Sequence, residues 1–170
     1  MEALRAQVPA ARFVAATMRD TGLDSRAGAL STPVKIVEIM GRHAGWLTAS
    51  AALARDGIPD GAPHLIYVPE RPLTLAEFLE DVQRAHGAYG HVVVAFSEGV
   101  CDPSGEFLGA ASARDAFGHR QLGGVSATLA EHVTKELGLK ARFEKPDTMQ
   151  RSSATLASPV DRDEAFQVGQ

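Results

Sequence analysis

The sequence predicts an α/β domain in which helices cover a mostly parallel sheet. Short, β-branched apolar runs alternate with helical stretches along the chain, which is the pattern of strand–helix–strand units. The runs are mainly apolar rather than strictly alternating, as expected for strands buried on both faces. With 170 residues, the chain is long enough for one compact domain.

Four strands and five helices are predicted along the chain. The predicted strands are 34–40, 64–68, 91–96 and 139–144. The predicted helices are 11–19, 44–55, 75–86, 126–137 and one that begins near Asp161. Thr74 followed by Glu77 predicts a capping box at the start of the third helix, and Gly138 stops the fourth. The stretch 102–124 is the least regular, and is either a long loop or a hairpin.

Composition and charge exclude several classes of partner. The net charge of −4 and the pI of about 5.8 argue against nucleic acid or an acidic membrane surface. Cys101 is the one cysteine, so no internal disulfide forms. No apolar run approaches the roughly 20 residues of a membrane span, and the N-terminus does not have the pattern of a secretory signal. We therefore expect a cytoplasmic protein.

Polar residues stand immediately after each predicted strand. In open parallel sheets, ligands bind beyond the carboxyl ends of the strands, and the segments in that position are 40–46, 69–72, 97–99 and 145–153. A shared edge would gather Arg42, Glu70, Arg142 and Arg151, and Lys145 would add a further cation. Arginine binds phosphate through its planar fork, and a carboxylate accepts protons from sugar hydroxyls. This combination fits a phosphorylated sugar.

Each of these residues also has an ordinary structural explanation. A lone arginine at a strand end is more often a surface ion-pair partner than a ligand, and Glu70 beside Arg71 fits a solvated loop pair. Gly41 and Gly45 fit turn and packing positions, and Trp46 is expected in the core. The six histidines have no metal-binding spacing, and nucleotide-binding glycine motifs are absent. The residues alone therefore predict an α/β domain with an anionic-ligand site.

Four strings, taken in order, resemble strand-end segments of the phosphofructokinase family: VEIMGRHAGWLTASAALAR, HLIYVPE, HVVVAFSEG and ARFEKPDTMQRSS. This resemblance implies a phosphofructokinase-like three-layer α/β domain. HAGW and KPDTMQR are most similar to the pyrophosphate-dependent members, the diphosphate–fructose-6-phosphate 1-phosphotransferases. Residues 1–10 resemble nothing, so we expect an unmatched segment there and a fructose 6-phosphate-binding region over 11–170.

The resemblance implies roles for particular residues. Met40, Gly41 and Arg42 match the MGR triplet that contacts fructose 6-phosphate, and Arg42 would also stabilise the charged transition state as a catalytic residue. Glu70 matches the carboxylate that binds sugar hydroxyls. Arg151 matches the arginine that binds the 6-phosphate.

Three further positions qualify the resemblance. Arg142 matches a phosphate-binding arginine that is commonly contributed across a subunit interface. Thr148 stands in the substrate-binding loop where many ATP-dependent members have a histidine. Pro33 stands where those members carry another arginine, so that contact is expected to be missing.

The resemblance implies phosphorylation of fructose 6-phosphate to fructose 1,6-bisphosphate in glycolysis, with pyrophosphate or ATP as donor, Mg²⁺, and a homo-oligomeric enzyme. The GGD and PKTIDND segments that hold the donor and supply the base and metal ligands do not occur in this sequence. We therefore expect no metal ligands here and an isolated chain that is incomplete and inactive. The alternative is a non-catalytic sugar-phosphate-binding or regulatory module, without nucleic-acid or membrane partners.

Overall fold

A four-stranded parallel sheet is at the centre of the fold. The structure, a computed structural model, describes residues 8–108 and 124–169. The strands are β1 (Val34–Ile39), β2 (Leu65–Tyr67), β3 (Val92–Ser97) and β4 (Ala141–Glu144). They lie in the order β2-β3-β1-β4, and all three pairings are parallel. The predicted strands and their parallel arrangement are confirmed.

Six α-helices surround this sheet within the described part of the chain. They are α1 (Val8–Ala27), α2 (Trp46–Ala49), α3 (Leu75–Tyr89), α4 (Val125–Leu137), α5 (Met149–Ser152) and α6 (Pro159–Val168). The predicted helix over 44–55 is in fact one α-helical turn that continues as a 3-10 helix, Ser50–Arg55. The short helix α5 was not predicted, because a single turn has no apolar period to detect.

The helices form two layers, one on each face of the sheet. On one face, α3 and α4 pack over alternate residues of β1 and β3, with Phe78 and Phe96 among the fully buried side chains. On the other face, α1 and the segment that begins with α2 cover the intervening strand residues, with Met18 completely buried. The three-layer α/β architecture is confirmed. Trp46, which we expected in the core, is exposed instead.

The start of α3 is fixed by the predicted capping box. The Thr74 side chain accepts the Glu77 N–H at 3.2 Å, and Glu77 Oε2 accepts the Thr74 N–H at 2.8 Å. These bonds satisfy N–H groups that the first helical turn leaves without partners. The same backbone hydrogen bond from Thr74 lowers the pKa of Glu77, because it favours the charged carboxylate.

Part of the irregular stretch after β3 forms a tight turn. Cys101 and Phe107 pair in an antiparallel bridge, and the Asp102 carboxylate accepts the N–H groups of Ser104 and Glu106. The remainder of the predicted loop or hairpin, 109–123, lies outside the described residues, as does most of the unmatched segment 1–10. None of the helices in the described ranges has the length and apolar character needed to cross a bilayer.

A partly buried lysine ties α1 to the sheet. Lys35 Nζ lies 2.7 Å from Asp24 of α1 and 3.2 Å from Glu144 of β4. Burial acts to lower the pKa of Lys35, but the hydrogen bonds to Asp24 and Glu144 outweigh it and raise that pKa. The charged form of Lys35 therefore joins three elements at the amino-terminal half of β1.

A neutral histidine stands at the start of β2. His64 Nδ1 accepts the Val93 N–H at 2.9 Å, and its ring packs against the rings of Tyr89 and His91. Burial, together with the nearby His91 and Arg55, lowers the pKa of His64 to about 4. The imidazole is thus an acceptor in the folded protein at neutral pH.

This histidine should make the free energy of unfolding depend on pH. The folded-state pKa lies below the unfolded value of about 6.5, so the unfolded chain binds more protons between about pH 4 and 6.5. His64 should therefore cost stability as the pH falls through that window, by about 1–2 kcal/mol after allowance for its partial exposure. His64→Asn keeps an acceptor near Nδ1 but cannot titrate, and should flatten the pH dependence.

Urea unfolding of both proteins at about pH 7 and about pH 4.5 measures this difference. The control is His43→Asn, because His43 is exposed and its replacement should leave the pH dependence as in the parent. Identical pH dependence in His64→Asn and the parent would contradict the prediction.

Candidate functional site

The loops that follow the four strands meet at one edge of the sheet. Three backbone N–H groups in the loop after β1 each donate to a side chain from another loop: Met40 to Gln150 Oε1 at 3.2 Å, Gly41 to Glu98 Oε1 at 3.3 Å, and Gly45 to Glu70 Oε1 at 2.7 Å. The predicted gathering of the segments 40–46, 69–72, 97–99 and 145–153 at one edge is therefore confirmed.

The first of these loops packs directly on the loop after β3. Gly41 has φ 138°, a conformation that favours glycine. Ser97 Oγ donates to the Gly41 carbonyl at 2.6 Å. A Cβ atom on Gly99 would overlap the backbone carbonyl of Arg42, so only glycine permits this close approach. The backbone on both sides of Arg42 is held by these contacts.

Arg42 and Arg151 line the same cavity. Its volume is about 380 Å³, and Met40, Gly41 and Gln150 form part of its wall. Both arginines are exposed and come from loops that are distant in sequence. Two guanidinium groups around one cavity provide donors suited to phosphate oxygens, which bind bidentately to such planar forks.

A second cavity adjoins Arg151. It has a volume of about 560 Å³ and is lined by Ser152, Ser153 and Arg162, among others. Arg151 lines both cavities and therefore lies between them. The polar lining of the second cavity thus combines two serines and a second arginine with the acidic residue Glu164.

Glu70, from the loop after β2, contacts the end of the β1 loop that is farther from Met40. Its carboxylate accepts the Gly45 N–H, directly before α2 begins, and the residue is exposed. A carboxylate has about four acceptor positions, so this bond leaves capacity for hydroxyl groups of a ligand.

Two residues at the edge, Ser97 and Gln150, were missing from our predicted site, and Glu98 was expected at the edge without an assigned role. Ser97 and Gln150 are buried, and Glu98 is half-buried. The positional rule marked the segment 97–99 without assigning a role to any residue in it. Gln150 forms a QR pair with Arg151 in the string that resembles the family loop, but nothing in the sequence showed that it would be buried.

Arg142 does not lie at this edge. It pairs in register with Lys35, near the amino end of β1, whereas the loops follow Ile39. Four residues along a strand span about 13 Å. Arg142 is exposed and close enough to Asp24 to contribute to the lowered pKa of that carboxyl, after the larger effect of Lys35. The expectation that one chain gathers Arg142 with Arg42 and Arg151 is therefore wrong.

Lys145 is also engaged elsewhere. Its Nζ lies 3.2 Å from Oε1 of Glu38, a β1 residue that is only 2% exposed. Oε2 of Glu38 accepts the N–H and the hydroxyl of Ser126 at 3.1 and 2.8 Å. Lys145 thus offsets the charge of a buried carboxylate, which is costly to leave unpaired. Our assignment of Lys145 as a ligand-binding cation is not supported by this placement.

Thr148 is the residue immediately before α5. It is exposed, its side chain does not cap the helix, and its carbonyl accepts the Arg151 N–H at 3.1 Å. Its backbone therefore helps to form the turn that presents Arg151. A contact between its side chain and a ligand stays a prediction.

The chain belongs to the phosphofructokinase family, which it matches over residues 14–170. It is 48% identical over 162 residues to the pyrophosphate–fructose 6-phosphate 1-phosphotransferase of Xanthomonas campestris pv. campestris (strain B100). The enzyme of the same name from Halomonas elongata is 40% identical over 161 residues. Each alignment covers 94% of this chain and 38% of the relative, so the chain spans well under half the length of these relatives.

Solved structures agree with this assignment. The fold superimposes on the pyrophosphate-dependent phosphofructokinase from Marinobacter aquaeolei with a TM-score of 0.75 at 32% sequence identity. That alignment covers 94% of this chain and 36% of the other. The family resemblance and its similarity to pyrophosphate-dependent members are thereby confirmed.

The close approach of Gly99 to Arg42 can be tested by adding one methyl group. Gly99→Ala should lower the free energy of unfolding by about 1–3 kcal/mol, because the backbone it meets cannot move aside without displacing the loop. Gly87→Ala is the matched control. Gly87 lies in α3, and a Cβ at that position meets nothing within 4 Å. That control should be neutral or stabilising by up to about 1 kcal/mol. Urea unfolding measures both, and equal effects would contradict the packing described.

Proposed function

We propose that residues 11–170 form the fructose 6-phosphate-binding region of a pyrophosphate-dependent 6-phosphofructokinase. The complete enzyme would transfer a phosphoryl group to the 1-hydroxyl of fructose 6-phosphate in glycolysis. Pyrophosphate is the proposed donor because the relatives described above carry it in their names, and ATP is the alternative. The observation that carries the proposal is the single cavity shared by Arg42 and Arg151.

The two arginines would act on different parts of the substrate. Arg151 would hold the 6-phosphate, because it lies between the substrate cavity and the adjoining cavity with its serine hydroxyls. Arg42 would stabilise the negative charge that develops on the transferring phosphoryl group. Its backbone is already held by the contacts of Gly41 and Gly99, so little reorganisation would be needed. Met40 and Gly41 would contact the sugar from the same wall.

Two carboxylates would accept hydrogen bonds from the sugar hydroxyl groups. Glu70 and Glu98 each use one oxygen to accept a loop N–H, which fixes the orientation of the carboxylate. The remaining acceptor positions would bind hydroxyl groups. Glu98, which was expected at this edge without an assigned role, is the carboxylate that we add to the proposed site.

Mg²⁺ in the complete enzyme would neutralise charge on the donor phosphates. Among the described residues, no three His, Cys, Asp or Glu side chains lie close enough together to hold a metal ion. These residues therefore do not fit a magnesium site of their own. We assign the metal ligands and the general base to a region outside this sequence.

The position of Arg142 supports the proposal of a homo-oligomeric enzyme. It is exposed on β4, an edge strand, on the order of 13 Å along the strand direction from the loop edge. From that position we propose that it serves the phosphate site of a neighbouring subunit. The cytoplasmic location stays a prediction from the sequence.

Substrate binding should depend on Arg151. Fructose 6-phosphate should bind the chain with millimolar affinity, because two charge-assisted hydrogen bonds only slightly exceed the association cost. Arg151→Ala should remove the preference for fructose 6-phosphate over fructose. Arg151→Lys should restore it in part, since lysine lacks the planar fork. Glu70→Gln should weaken both sugars alike.

Trp46 allows a direct measurement, because it is the one tryptophan in the chain and lines the Arg42 cavity. Its fluorescence, followed during titration with each sugar, reports occupancy. Arg84→Ala is the control, since Arg84 is exposed on α3, and it should bind as the parent does. Undiminished fructose 6-phosphate binding by Arg151→Ala would refute the assignment of Arg151.

The isolated chain should show no phosphotransferase activity with pyrophosphate or ATP. Proton transfer and charge neutralisation account for much of the rate of phosphoryl transfer, and we assign both to the missing region. A coupled assay with fructose 6-phosphate and Mg²⁺ tests this, with and without the missing portion of a relative supplied as a second chain. Turnover by the chain alone that disappears in Arg42→Ala would contradict it. Binding without turnover in every mixture would favour the non-catalytic module instead.

A further inference from the structure

A buried amide side chain connects the two cavity arginines. Gln150 is only 2% exposed, although glutamine is ordinarily a surface residue. It lies on α5 directly before Arg151, and its Oε1 accepts the Met40 N–H at 3.2 Å. Met40 in turn leads through Gly41 to Arg42. One hydrogen bond therefore joins the turn that carries Arg151 to the loop that carries Arg42.

The packing around Gln150 leaves its side chain little freedom. α1 packs against α5, and a small apolar gap beside Gln150 is lined by Val14 and Met18 of α1 and by Ile39 of β1. A polar amide in such surroundings is stable where it is hydrogen-bonded. The Gln150 side chain is thus held in the direction that reaches Met40.

Filling this space does not require a polar group. A methionine of similar length could occupy the gap between α1 and β1, and water could bind the half-buried Met40 N–H. A water molecule would not fix the distance between the Met40 loop and the α5 turn, because it is not attached to either. The next amide, Gly41, is independently bound to Glu98, so the loop keeps an anchor if the Met40 bond is lost.

We propose that Gln150 is a positioning residue that keeps Arg151 and Arg42 in register around one phosphosugar. The inference rests on the proposed function, in which both arginines bind that ligand. Gln150 also forms part of the cavity wall, but in this role it acts through the Met40 N–H rather than on the ligand. A phosphate held by Arg151 would tighten the α5 turn, and the Gln150–Met40 bond would transmit this to the loop that bears Arg42.

The test uses the 170-residue chain labelled for amide NMR and titrated with inorganic phosphate and with fructose 6-phosphate. In the parent, phosphate should shift the amide signals of Arg151 and also those of Met40 and Arg42. In Gln150→Met, phosphate should still shift Arg151 but no longer Met40 and Arg42. Affinity for fructose 6-phosphate should fall about tenfold, while affinity for inorganic phosphate should change less than about twofold, because one arginine suffices for it.

Two further variants distinguish the loss of the positioning hydrogen bond from a general loss of stability. Gln150→Glu keeps an acceptor for the Met40 N–H and should restore the response of the Met40 signal. Val82→Ala leaves a cavity in the core on the opposite face, where Val82 is completely buried. It should destabilise the chain without altering the response of the Met40 and Arg42 signals to phosphate. A loss of response in Val82→Ala equal to that in Gln150→Met would overturn the inference, as would a normal response in Gln150→Met.

The outcomes also distinguish this inference from the proposed function. If neither ligand shifts Arg151 in the parent, the proposed function fails and the inference fails with it. If Arg151 responds in the parent and Met40 does not, only the inference fails. Should Gln150→Met not fold, hydrogen exchange of the Met40 amide in the parent decides. Phosphate should slow that exchange at least about threefold, and unchanged exchange would overturn the inference.

Discussion

The loop edge depends on how the chain leaves the central strand β1. Beyond Ile39, the N–H groups of Met40 and Gly41 have no partner strand and donate instead to Gln150 and Glu98. An N–H left unpaired near a core costs about 1–3 kcal/mol, so these two acceptors determine the path of the loop. The same bonds draw the loops after β3 and β4 towards it, and three segments that are distant in sequence become one surface.

Features that depend on local pattern were predictable from the sequence. The mainly apolar run Val34–Ile39 indicated a strand buried on both faces, and Thr74 with Glu77 indicated the capping box that the structure contains. The common edge followed from a rule about parallel sheets that needs the order of strands and helices alone. Each of these predictions requires knowledge of neighbours in sequence or of chain direction.

Features that depend on which distant groups meet were not predictable in the same way. Arg142 lies within the predicted strand 139–144, and only its pairing with Lys35 shows that it stands near the other end of β1. Lys145 looked available until the buried carboxylate of Glu38 supplied its partner. The burial of Gln150 carries no sequence signal, because it results from the packing of α1 across the sheet.

The two cores on opposite faces of the sheet give the fold an unequal tolerance of evolutionary change. Ala10 and Leu47 belong to the core beneath α1 and also line the arginine cavity, so altering their volume reshapes the binding surface. Phe78 and Leu129 belong to the other core, under α3 and α4, where the same alteration affects stability first. Lineages can therefore diverge more freely under α3 and α4, and that face is the better starting point for engineering a more robust variant.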